Sequence, residues 1–150
     1  MKANFILFFL LIFVIACSSE KKEKHAFKRM TFSIYPPVLP PDQNCITEVF
    51  EIEDNTLKYT KLESLCGENK PKSKTQKAVL SKEQTENIKN ILIKLQPKKF
   101  SNDSKYDGNA SANLQIEWEG SKENFSFLSY EGEEITKLYT TLRAIIKEVK

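Results

Sequence analysis

The 150-residue chain reads as an α+β domain: an antiparallel sheet of about five to six strands with two helices packed on one face. Three observations predict it. Apolar side chains alternate with a period of two in three separate stretches, two of which fold back about short turn sequences. Two later stretches switch to helical spacing. All four glycines and all six prolines fall between these stretches, so local propensity and periodicity agree. The order is strand, hairpin, helix, hairpin, helix, and a sheet with its helices gathered on one side is the layering such an order favours.

The first strand is expected near 28–35, where Met30, Phe32 and Ile34 alternate with polar neighbours. Pro36-Pro37-Val38-Leu39-Pro40-Pro41 ends it, because proline cannot donate to a ladder. Residues 45–53 and 57–65 form a hairpin rich in Val, Ile, Phe, Thr and Tyr. Two registers compete there. With Asn55-Thr56 as the turn, Cys45 lies opposite Cys66, Ile52 meets Tyr59 and Ile46 meets Leu65. With Asp54-Asn55 the turn chemistry is better, and Glu48 faces Lys61 while Glu51 faces Lys58. The cysteines are then diagonal and harder to bridge. The first register is preferred, since a covalent bond outweighs two exposed ion pairs.

Gly67 to Lys74 reads as a polar loop, and Thr75–Leu80 as a short edge strand. Ser81-Lys82-Glu83-Gln84 has the form of a capping box, with Ser81 as N-cap and Gln84 three residues on. Ile88, Ile91, Leu92 and Leu95 mark one face of the helix that follows, which ends before Pro97. Residues 96–112 show no periodicity; a connection of that length in a small domain is functional or mobile. In the closing hairpin Leu114, Ile116 and Trp118 alternate, Gly120-Ser121 suits a type II′ turn, and Phe125 and Phe127 return on the same face. That turn pairs Leu114 with Phe127 and Ile116 with Phe125. Glu131, Glu133 and Glu134 favour a helix start, and Ile135, Leu138, Tyr139, Leu142, Ile145, Ile146 and Val149 form its apolar stripe.

Cysteine usage separates the three thiols. Cys17 stands apart in the N-terminal segment, leaving Cys45 and Cys66 as a pair flanking the first hairpin. A disulfide between them is expected to stabilise by about 3 kcal/mol in the chain-entropy model. The only histidine, His25, lies before the first strand, which removes Ser–His and Cys–His pairs and the commonest zinc ligand sets from the domain. There is no glycine-rich phosphate loop. Glu117, between Ile116 and Trp118, is expected on the solvent face rather than as a catalytic acid. Asn102 to Asn109 offers oxygen ligands and a glycine, yet Lys105 stands where a calcium loop wants an acid, and a plain turn-rich loop is the reading. No cofactor, no metal and no enzyme activity are expected.

The N-terminus carries the most specific motif. After Lys2, an apolar run from Phe5 to Ile15 leads to Val14-Ile15-Ala16-Cys17. From Phe5 to Cys17 a helix reaches only about 20 Å, short of the roughly 30 Å of bilayer hydrocarbon. The motif resembles the lipobox of bacterial lipoproteins. That resemblance implies a signal peptide over 1–16, removal of which makes Cys17 the first residue, with diacylglycerol on its sulfur and an acyl chain (palmitate, for example) on its amine. Two or three chains at about 0.8 kcal/mol per buried methylene hold a domain permanently. Residues 17–27 then form a lipidated cysteine and flexible tether, and 28–150 one domain. Ser18, rather than Asp, after the cysteine is similar to the outer-membrane sorting state, which implies a chain lipid-anchored in the cell envelope at the outer membrane, on either its periplasmic or its surface face. Residues 1–16 carry one lysine and no acid, so their loss lowers the net charge from +3 to +2. Such a balance creates no field favouring nucleic acid. The lysines clustered at 21–24 and 70–77 are interleaved with Glu, Asn, Ser or Thr and read as solvated surface.

Cys45, Asp54-Asn55, Leu80-Ser81-x-Glu83-Gln84 and the closing hairpin–helix resemble small bacterial envelope proteins of unknown function, in which a cysteine-led hairpin precedes two helices. The order of elements over about residues 45–150 is also similar to emfourin-type metallopeptidase inhibitors. Fold-level likeness alone does not establish function. The expected function is a non-catalytic binding or accessory module held on the bilayer through Cys17, with an envelope protein as partner. The alternative is a periplasmic inhibitor or immunity protein against a toxin or peptidase. The 96–112 loop, with Phe100, Tyr106 and Asp107, is the expected contact surface in either case.

Overall fold

A computed structural model describes residues 26–37, 39–40, 43–66, 70–95, 111–128 and 132–149. Among these residues six antiparallel strands and two helices follow in the order β1 (Phe27–Tyr35), β2 (Asn44–Glu53), β3 (Thr56–Leu65), β4 (Lys72–Val79), α1 (Lys82–Lys94), β5 (Ser111–Trp118), β6 (Ser121–Leu128) and α2 (Glu133–Glu148). The sheet order is β4-β3-β2-β1-β5-β6. β1 is therefore central, flanked by β2 and by β5. Its alternation explains the choice: Met30, Phe32 and Ile34 are all buried, and only an interior strand surrounds three such side chains.

One face of the sheet carries the core. Phe50 and Ile52 of β2, Leu57 and Tyr59 of β3, Leu114 and Ile116 of β5, and Phe125 and Phe127 of β6 join the β1 side chains on that face. Ile88, Ile91 and Leu92 of α1 and Ile135, Leu138, Leu142, Ile145 and Ile146 of α2 complete the same cluster. The stripes expected for both helices are the buried ones, except that Tyr139 and Leu95 are only partly covered and Val149 is 36% exposed. The α+β layering with both helices on one face is the arrangement the periodicity predicts.

α1 begins as its sequence dictates. The Gln84 N–H donates to Ser81 Oγ at 3.1 Å and the Ser81 N–H to Gln84 Oε1 at 2.9 Å, so two otherwise orphaned donors are satisfied reciprocally. α2 has no side-chain cap at Gly132 (φ 137°), and Glu133 and Glu134 in its first turn oppose the positive end of the helix dipole instead.

Three expectations are corrected. The first hairpin turns at Asp54-Asn55, pairing Glu53 with Thr56, Glu51 with Lys58 and Cys45 with Ser64, not Cys45 with Cys66. Asp54 and Asn55 take φ of 47° and 60°, as a type I′ loop requires; the other register would force β-branched Thr56 to positive φ. The closing hairpin turns at Glu119-Gly120, pairing Leu114 with Phe125 and Ala112 with Phe127. Gly120 supplies the positive φ (84°) at the second loop position, and small Ala112 stands opposite large Phe127. Finally, β4 starts at Lys72, so part of the expected polar loop pairs with β3.

Candidate functional site

The disulfide expectation survives the register change. Cys66 follows the last β3 pair, and its N–H donates to the Gln43 carbonyl at 2.9 Å, carrying the ladder one step further. Cys45 and Cys66 are diagonal on one face, and strand twist brings them to disulfide distance with Cα atoms 5.2 Å apart. Cys17, the 1–16 segment, His25 and the Asn102–Asn109 loop lie outside the described residues, as do Phe100, Tyr106 and Asp107. Glu117 is half-buried on the face opposite the core, at the end of the sheet where Arg29 and Glu53 form an ion pair at 2.6 Å.

The best-organised polar cluster was not anticipated. Glu48 lies on β2 in phase with Phe50 and Ile52, so its side chain is directed at the core face, where only 13% of it remains exposed. Tyr59, the β3 partner of Phe50, lies diagonal to Glu48 on the same face. Tyr139 and Arg143 reach it from α2, four residues apart and therefore on one helix face. The Tyr59 hydroxyl donates to Glu48 Oε1 at 2.5 Å and the Tyr139 hydroxyl to Oε2 at 2.8 Å. Arg143 Nη1 lies 3.0 Å from Glu48 Oε1 and donates to the Tyr59 oxygen at 2.8 Å. Its guanidinium also sits 5.3 Å from the Tyr59 ring centre, a cation–π distance.

Rings assemble the rest. Phe50 packs against Tyr59 at 4.9 Å and edge-on to Tyr139 at 6.0 Å. Burial, followed by the hydrogen bond to Glu48, pushes the Tyr59 phenol well above its ordinary range. It stays a neutral donor at physiological pH. Both carboxylate oxygens of Glu48 are engaged, and charge-assisted bonds of this kind are the strong ones. The cluster therefore bolts α2 to β2 and β3. A general acid or base needs a proton site open to substrate; here Oε1 of Glu48 is shared by Tyr59 and Arg143, and Oε2 is held by Tyr139.

A usable sequence signal existed: an acid in phase with Phe50 and Ile52 must find donors on the buried face. Among the described residues no group of three or more His, Cys, Asp or Glu side chains could hold a metal ion, and no helix is long and apolar enough to cross a membrane. No protein-family model matches the chain, and no curated protein matches it either.

Proposed function

We propose that the chain is a lipid-anchored bacterial lipoprotein acting as a non-catalytic binding or accessory module of the cell envelope. The observation that carries this reading is the closure of the Glu48 cluster. Its carboxylate, two phenols and guanidinium engage one another, and in this reading they serve to hold α2 in place. In this reading the rest of the domain acts through its surfaces. Cys17, preceded by Val14-Ile15-Ala16, supplies the anchor in this reading, and acyl chains keep the module at the bilayer on any biological timescale.

The test is purification of the full chain from detergent-solubilised membranes after mild cross-linking, with Cys17→Ala alongside. A stoichiometric resident partner that Cys17→Ala fails to retain is the expected result. A partner that appears only after challenge with a toxin or peptidase would favour the inhibitor role instead. Membrane-bound protein recovered with no partner under either condition would contradict the binding reading.

A further inference from the structure

We propose that β4 is the docking edge of the domain, taking an extended acidic segment of a partner protein as a seventh strand. The proposal rests on the binding-module reading and gives it a surface and a partner chemistry. β4 ends the sheet. Its pairing with β3 runs without a bulge from Glu63–Lys72 to Thr56–Val79, it contains no proline, and only Ala78 of its eight residues is buried. These are the conditions under which a ladder can be extended.

Among the described residues the outward-facing groups can be assigned. The Leu80 N–H donates to the Asn55 carbonyl at 2.8 Å, one step beyond the Thr56–Val79 pair. Hydrogen-bonded and non-bonded pairs alternate in an antiparallel ladder. Lys72, Lys74, Gln76 and Ala78 thus spend their amides on β3, whereas Ser73, Thr75, Lys77 and Val79 turn theirs outward. At about 3.3 Å per residue the open edge is roughly 26 Å long.

Charge sets the occupant. Residues 70–79 hold four lysines and no acid. Glu63, the one acid of β3, is already engaged by Lys61, and Glu51 on β2 by Lys58 at 2.7 Å. Lys61 above all, with Lys74 and Lys72 adding to it, holds the Glu63 carboxyl below its ordinary range, so this edge already favours carboxylate. Lys72 and Lys74 flank the free backbone on the core side, and Lys77 on the other. The opposite edge, β6, carries Lys122 and Glu123 and has no such bias.

Lysine on an edge strand is itself a guard against edge-to-edge association. Here that guard discriminates: it repels a second copy of β4 and admits a strand of opposite charge. An anionic bilayer fits less well. The lysines straddle both faces of one strand rather than sharing a plane. β1, where the chain enters the sheet, is three strands or about 14 Å away, and at that end Lys28, Arg29 and Lys122 are offset by Glu53, Asp54, Glu117 and Glu119.

The test uses the full chain in phosphatidylcholine nanodiscs and a fluorescein-labelled peptide alternating Glu with Thr and Val. Anisotropy should report binding, and hydrogen exchange should show new protection over 73–79. Lys72→Glu, Lys74→Glu and Lys77→Glu together should weaken binding by about tenfold or more, with the thermal midpoint unmoved. A peptide of the same charge, N-methylated at alternate residues, should bind weakly and give no protection. No binding of the parent peptide, equal binding of the methylated one, or protection lying elsewhere would overturn the proposal. So would protection of β4 by phosphatidylglycerol nanodiscs without peptide, which would assign the lysines to headgroups. A partner that still co-purifies after such a result would move the contact to another face, leaving the binding-module reading intact.

Discussion

Replacing Glu48 by Ala tests the bolt between sheet and α2. The loss has three parts. The Tyr59 hydroxyl, in a residue only 4% exposed, loses its acceptor and is left with Arg143 as donor, a penalty of about 1–2 kcal/mol for a buried polar group. The Tyr139 hydroxyl loses a charge-assisted bond at 2.8 Å, worth about 1 kcal/mol net where water can partly replace it. Arg143, 34% exposed, can swing into solvent and contributes roughly 0.5 kcal/mol. The sum is about 3 kcal/mol, or a fall of roughly 10 °C in Tm for a domain of this size. Tyr139→Phe alone should cost about 1 kcal/mol. In the double variant the second change should add almost nothing, so urea unfolding of the four proteins should yield a coupling of about 1 kcal/mol. Strict additivity, or a Glu48→Ala loss under about 1 kcal/mol, would refute a shared network.

Other outcomes follow from single features. Cys45→Ser with Cys66→Ser should lower stability by about 3 kcal/mol, as expected for a cross-link spanning 21 residues, and reductant should then have no further effect on urea unfolding. Ser81→Ala breaks the capping box and should cost about 1 kcal/mol, with the first turn of α1 exchanging its amides faster. Tyr59 keeps its proton in the fold beyond its ordinary value of 10.0. Its contribution is therefore full below pH 10 and is lost as the pH rises further, when the unfolded chain ionises first. A stability profile from pH 8 to 11 should fall on the alkaline side, and Tyr59→Phe should flatten that limb.

The elements were legible because their periods are clean, and the two hairpin registers were not, for a common reason. Moving a two-residue loop by one position shifts every pair by two, so the same side chains stay inside. Alternation cannot distinguish Leu114–Phe127 from Leu114–Phe125. Backbone conformation can, since positive φ suits Asn55 and Gly120 and disfavours Thr56. Nor does a disulfide require directly facing cysteines, because a diagonal pair at 5.2 Å also reaches disulfide distance. Lys72, Ser73 and Lys74 read as loop although they open β4, because such a run carries no apolar signal, and an edge strand needs none. The Glu48 cluster joins residues 91 positions apart, a juxtaposition that only the packing of α2 creates. The in-phase placement of Glu48 was visible; its partners were not.

The covalent state of position 17 bears most directly on the account. Intact-mass and fragment spectra of the protein taken from the cell envelope should begin at Cys17, with diacylglycerol on its sulfur and an acyl group on its amine. A free thiol there, or a chain still carrying residues 1–16, would contradict the account.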